Sequence, residues 1–271
     1  MLNRHNEYYY PRTVHRVPSV RLDARKSIDS IDNVKPVRVA KIGVIYIHSR
    51  QKITESNILS NIQTSERYKN FMSSIATLKS IKYLEDENFY RPLLDGNNVD
   101  NCGHYAYVWQ NSIYQVLFHT STLLPNTRAD HEFKKKLIGN DYVIIVYNES
   151  DYSFDMKTLK TGVCQYIIEV CPQMNSNYTR IRLIKRMNTT TTHNPSSMDL
   201  MTSNDIDYLI SDDHVASYVR ILALCLCQQG ELETRQPSSS PLTFAICPWQ
   251  TRLQSFRSLH TRCYLSYHNR Q

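Results

Sequence analysis

The sequence predicts an α/β fold, a central mixed β-sheet flanked by helices. Three observations carry that expectation. Lys41–Ile47 (KIGVIYI) and Tyr142–Tyr147 (YVIIVY) are nearly continuous apolar runs rich in Ile and Val, the pattern of strands buried on both faces. Segments with apolar residues at helical spacing lie between and after them. Strand-like and helix-like stretches are interspersed along the whole chain, which favours a layered α/β architecture over separate all-α and all-β regions.

Each element follows in chain order. Residues 1–36 hold few periodic apolar positions and are expected to form a poorly ordered extension. Lys41–Ile47 is the first strand. From Glu66 to Ile81, Phe71, Met72, Ile75 and Leu78 recur at helical spacing, and Thr64 or Ser65 can cap that helix. Tyr105–Trp109 and Ile113–Thr122 have the β-branched and aromatic content of strands, and Pro125 closes the second. A short helix from about Asp130 to Ile138 follows, with Asp130 as cap. Lys134, Lys135 and Lys136 suit the negative end of its dipole, and Gly139 stops it. Asp141 then opens Tyr142–Tyr147, the most apolar run in the chain and the expected central strand.

Tyr166–Val170 and Tyr178–Ile184 read as two further strands, and Asn188–Asn204 as a polar loop. Asp212–Gln229 reads as a helix with Val215, Val219, Leu222, Ala223 and Leu226 on one side. Thr234–Ser240 is a Pro/Ser linker. Trp249, Leu253, Phe256 and Leu259 mark a last amphipathic helix, with Arg252, Arg257 and Arg262 nearby. The expected organisation is an extension over 1–36, one domain over 37–230, a linker over 231–245 and a basic helix over 246–271 packed on the domain.

Composition narrows the chemistry. The chain has 271 residues and a net charge of +7, which suits an acidic partner surface. Its seven cysteines show no CxxC spacing, so free thiols in a reduced, cytosolic setting are expected rather than a disulfide framework or a zinc knuckle. Only six glycines are present, none in a phosphate-cradling GxGxxG or GxxxxGK[ST] arrangement. A GxSxG elbow, an HExxH helix and the kinase signatures are absent as well. The histidines do not cluster at ligand spacing; His119 and His214 read as satisfied core or surface residues. No apolar run approaches the roughly 18 residues of a membrane span. No recognised nucleic-acid module is seen. If this chain acts on a nucleotide, the nucleotide pocket belongs to another molecule.

The segment that carries chemistry is Phe133–Asn148 (FKKKLIGNDYVIIVYN): a basic helix, an abrupt stop, an amide side chain, then a buried strand. Taken alone, Gly139-Asn140-Asp141 also fits a plain helix C-cap and turn, since Gly and Asn both tolerate left-handed backbone. Other segments add to it: Glu55–Asn61 (ESNILSN), VLFHTSTLLP within Tyr107–Pro125, Ile210-Ser211-Asp212, and Pro248–Leu259 (PWQTRLQSFRSL). Together these resemble the Rap-GAP family, the GTPase-activating proteins for Rap, Rheb and Ral, over about residues 27–262. The agreement is best from 105 to 150 and closer to the tuberin branch than to the Rap-specific one. The family pattern Lys-Arg-His-Leu-Gly-Asn-Asp stands here as Lys135-Lys136-Leu137-Ile138-Gly139-Asn140-Asp141. The family's Arg-His is thus Lys136-Leu137, and its Gly-Gly-Leu-Asp is replaced by Pro92-Leu93-Leu94-Asp95.

The resemblance implies the Rap-GAP catalytic-domain fold and an "asparagine thumb". In this family a carboxamide, with one acceptor and two donors, orients the attacking water on the γ-phosphate of a partner's GTP. Asn140 matches the thumb. Gly139, Asp141 and Asn148 match its supports, with Asn148 expected to bond backbone near it. Lys134, Lys135 and Lys136 are expected to meet acidic residues or phosphate on the GTPase, or to be a solvated charge run. No cofactor of the chain's own is implied, because GTP and Mg are bound by the partner. That partner is a Ras-family small GTPase, Rheb-like first, with Rap or Ral as alternatives. A regulatory subunit or a homodimer, and a cytoplasmic place peripheral at membranes, are further expectations. The alternative is a scaffold that keeps the fold with weak or no activity.

Overall fold

The computed structural model describes residues 22–32, 38–84, 89, 103–126, 128–159, 161–186, 207–233 and 248–268. The expected loop at Asn188–Asn204, the linker at Thr234–Ser240 and the Pro92–Asp95 segment lie outside them. Two compact units are present: Val37–Cys247, and Met1–Pro36 together with Pro248–Gln271. In the smaller unit, helices α1 (Leu22–Asp32) and α7 (Pro248–His268) contact each other. Within the segment expected to be a poorly ordered extension, residues 1–36, the described part is a helix, Leu22–Asp32. Among its described side chains Ile31 is buried and Ile28 half-buried, a weaker signal than the periodic stripes elsewhere.

The larger unit is built on an eight-stranded sheet in the order β2-β3-β4-β1-β5-β6-β7-β8. The strands are β1 (Arg38–Ile47), β2 (Thr77–Ser80), β3 (Tyr105–Gln110), β4 (Tyr114–Thr120), β5 (Val143–Asn148), β6 (Tyr166–Pro172), β7 (Tyr178–Lys185) and β8 (Asp207–Ser211). The four central strands, β4, β1, β5 and β6, are parallel, and the outer pairings are antiparallel. The sheet is therefore mixed, as expected. All six residues of β5 are buried, which explains its unbroken apolar run: a parallel strand covered on both faces has no solvent side.

Helices α3 (Glu66–Ile75) and α6 (Asp212–Glu233) cover one face. Tyr68, Phe71, Met72, Ile75, Val215, Val219, Ala223 and Leu226 pack there against Ile42, Val44, Ile145 and Ile168. Helices α2 (Glu55–Ser60) and α5 (Arg128–Gly139) belong to the other face, where Ile58, Leu59, Leu137 and Ile138 join Ile45, Ile47, Ile144 and Val146. Ser65 caps α3 by accepting from the Tyr68 N–H at 3.0 Å, an arrangement typically worth about 1 kcal/mol.

The helix expected to run to Ile81 ends at Ile75 instead. Ala76 is extended (φ −157°), and Thr77–Ser80 pairs antiparallel with β3 before a short helix α4 (Ile81–Leu84). Leu78, assigned to the helix by its spacing, is half exposed on that edge strand. Sheet pairing overrides the local helical pattern there. Asp130 lies inside α5, which begins at Arg128, and so is not its cap.

Candidate functional site

The last turn of α5 is gripped from two sides by close packing. At Gly43, in the middle of β1, an added Cβ would lie 2.7 Å from Ile138 Cγ2 and 3.3 Å from the Ile138 carbonyl. At Gly139 it would lie 2.7 Å from Thr161 Cγ2. Neither Gly139 nor Asn140 has a positive φ. The glycine is therefore required by the approach of Thr161 and not by a left-handed turn, which corrects the plain C-cap reading.

Asn140 follows directly, at the start of the turn into β5, and its side chain is exposed. No hydrogen bond or ion pair to another described residue engages its amide. Asp141, the next residue, is the reverse case. It is buried, its N–H donates to the Ile138 carbonyl at 3.2 Å, and its Oδ2 lies 2.7 Å from Nδ1 of buried His119 on β4. The turn is thereby tied across the sheet from behind. The peptide after it is held as well, because the Tyr142 carbonyl accepts from the N–H groups of Gln165 (2.9 Å) and Tyr166 (3.1 Å). His119 is a buried core histidine, in line with the sequence reading, and its Nδ1 faces the aspartate that follows Asn140.

The sheet register places further groups at this same end. Val143, the first residue of β5, pairs with Tyr166, which pairs with Lys185. Lys185 Nζ (2.9 Å), the Tyr166 hydroxyl (2.8 Å) and Gln229 Nε2 (3.0 Å) all donate to Glu233 Oε1 at the end of α6. Burial works to raise the Glu233 carboxyl, but these donors outweigh it and hold it below the ordinary carboxylate range. One residue beyond Lys185, Arg186 donates to the Thr161 carbonyl (2.5 Å), Thr161 Oγ1 (3.1 Å) and the Gly162 carbonyl (3.2 Å).

The remaining expected site residues separate. Asn148 is buried at the opposite end of β5, about 20 Å away at roughly 3.3 Å per strand residue. Its Nδ2 donates to the Tyr152 carbonyl and to Glu169 Oε1, both at 2.7 Å, and its Oδ1 accepts from the Ser150 N–H (2.9 Å) and hydroxyl (2.7 Å). It bonds backbone, but far from Asn140, so the expected support of Asn140 by Asn148 is not found. Lys134 is fully buried; its ammonium donates to the Leu59 carbonyl (2.9 Å) and to Asn126 Oδ1 (2.7 Å), tying α5 to α2. It cannot meet a partner protein, because its four-carbon stem points into the layer between the two helices. Lys135 is half-buried and bridges to Glu55 at 2.8 Å, which raises its pKa. Lys136 alone of the three is exposed. Leu137 is buried among Ile45, Ile58 and Ile144, so an apolar residue suits the place where the family pattern has His.

Burial pushes the Cys164 and Cys171 thiols up to about 12, which removes them as nucleophiles. Among the described residues no group of three or more His, Cys, Asp or Glu could hold a metal ion, and no helix is long and apolar enough to cross a membrane. His119 lies within the VLFHTSTLLP segment, but its contact with Asp141 spans 22 positions and leaves no sequence signal. Thr161 and Arg186 carried no sequence signal.

Known proteins share parts of this sequence and its fold. The Rap/ran-GAP family model matches residues 58–257. The tuberous sclerosis 2 protein homolog of Schizosaccharomyces pombe is 29% identical over 219 residues, covering 77% of this chain and 15% of that protein. RapA guanosine triphosphatase-activating protein 1 of Dictyostelium discoideum is 27% identical over 126 residues, 45% of this chain and 12% of that protein. The chain thus spans a small part of the relatives it matches. Among solved structures, the TSC2 GAP domain superposes with a TM-score of 0.60 at 24% identity, covering 73% of this chain and 100% of that domain, and shares its fold.

Proposed function

The chain belongs to the Rap/ran-GAP family, and from that premise we propose that it stimulates GTP hydrolysis by a Ras-like small GTPase, supplying the Asn140 carboxamide in trans. The observation that carries this reading is the contrast within one turn. Asn140 offers an exposed amide with no described partner in its own chain, while both neighbours are locked in place. A catalytic group that must enter another protein's site needs an unoccupied head on a rigid base. The partner holds the nucleotide and its magnesium, and the amide orients the attacking water toward the γ-phosphate. Exposed Lys136 belongs to the docking face, where it draws on acidic groups of the partner. The similarity to a tuberous sclerosis 2 homolog favours a Rheb-like GTPase over Rap or Ral.

The test is single-turnover GTP hydrolysis by Rheb, Rap and Ral proteins with and without this chain. The expected result is stimulation strongest with Rheb and lost by about 10²-fold or more in Asn140→Ala, the scale of removing one positioned transition-state donor. An Asn140→Ala variant that stimulates as well as the parent would falsify the thumb. Binding without stimulation by the parent supports the scaffold reading instead.

A further inference from the structure

We propose that Arg186 is a positioning residue for the thumb: its guanidinium clamps the Thr161–Gly162 loop against Gly139 and so fixes the direction in which Asn140 points. The inference rests on Asn140 being the thumb. Three hydrogen bonds from one side chain close on two consecutive residues of that loop, at the Thr161 carbonyl (2.5 Å), Thr161 Oγ1 (3.1 Å) and the Gly162 carbonyl (3.2 Å). The planar fork of a guanidinium holds its acceptors in one fixed geometry, whereas an ammonium is a compact charge with freely rotating donors. Arg186 is itself anchored, since its N–H donates to the Gln165 carbonyl at 2.8 Å. Thr161 is thereby pressed on Gly139 with no room for a methyl group between them.

The two grips act on the same turn from different sides. His119 holds Asp141 from inside the sheet at 2.7 Å, and Arg186 holds the loop that packs on Gly139. Asn140 lies between the two held residues and is the exposed member of the three. Loss of the Arg186 clamp leaves the Asp141 carboxylate held by His119 but lets the Thr161 wall retreat and the backbone turn between Ile138 and Asp141 loosen. The thumb then samples more directions, and a displacement of about 1 Å at a reacting centre can cost about 10²-fold in rate.

Arg186→Ala in the full chain tests this with three readouts against GTP-loaded Rheb. The maximal stimulated rate is expected to fall about tenfold or more while KM for the GTPase changes less than about twofold, because docking is intact and orientation is not. In an Asn140→Ala background the same substitution is expected to cost nothing further, since both act through one amide. By hydrogen exchange the Asp141 amide, bonded to the Ile138 carbonyl, is expected to exchange faster while Ile144–Val146 keep their protection. A second route perturbs the same contact: Gly139→Ala loses rate, and adding Thr161→Ser, which removes Cγ2 and keeps Oγ1, recovers part of it.

An unchanged maximal rate, independent losses in the double variant, or loss of protection across β5 together with Asp141 each overturns the proposal. Full stimulation by Asn140→Ala alone sinks the thumb reading and the catalytic half of this one. The exchange measurement still decides whether Arg186 holds the loop.

Discussion

One asparagine lies in the turn three residues before β5 and another is the last residue of that strand, and the two lead opposite lives. Asn140 is exposed and no described neighbour bonds its amide; Asn148 is buried and makes four hydrogen bonds. The motif contains both residues and does not tell them apart. What separates them is whether the carboxamide is already used by its own chain. A satisfied amide maintains structure, and an unsatisfied one on a fixed turn is available to another molecule.

The strongest way to break this comparison is to remove each amide in turn and measure unfolding in urea. Asn148→Ala deprives the fully buried Glu169 carboxylate of a donor and should cost about 3 kcal/mol. Asn140→Ala, on the surface, should stay within about 0.5 kcal/mol. Equal losses at the two positions would erase the distinction.

The next effect concerns the lysines of α5. Lys134→Met keeps the stem but removes the donor to Leu59 and Asn126, and should cost about 2 kcal/mol without altering binding beyond that. Lys136→Met should leave stability unchanged, yet slow association with the GTPase and flatten its salt dependence. Stopped-flow binding at two ionic strengths, beside urea curves, reads both. Reversed roles would return Lys134 to the docking face.

The smallest effect sharpens the picture of the thumb end. The Glu233 carboxyl is held below its ordinary value of 4.5, so its contribution is present above that value and is lost as pH falls through the depressed one. Melting temperatures of parent and Glu233→Gln should therefore converge on acidification below about pH 4. A constant gap between the two proteins would show that the Lys185–Glu233–Tyr166 contact contributes nothing through charge.

Much of the fold was legible in the sequence because its central strands are buried on both faces. Lys41–Ile47 and Tyr142–Tyr147 could be read as strands from unbroken apolar runs, and α6 from its spaced Val, Leu and Ala residues. β8 and the end of α3 were not legible, because edge pairing with β7 and β3 decides them and leaves Leu78 and Leu209 exposed. The thumb turn was legible as a motif. Gly139 and Asp141 stand in that motif as expected supports, but the groups that hold them were not legible: Asp141 meets His119 across 22 positions, and Thr161, which packs on Gly139, meets Arg186 across 25. Lys134 misled for a related reason. Three consecutive lysines look alike in sequence, while a helix turns each by about 100° and sends one of them inward.

Gly43 lies in a strand nearly a hundred positions before Asn140, yet it sets how low the last turn of α5 sits on the sheet. One methyl group at that position would collide with Ile138 and lift the turn outward. On the role proposed for Asn140, its reach is consequently determined in the interior. Variation at a position no GTPase could touch would change the fit between two proteins as surely as variation on the contact surface.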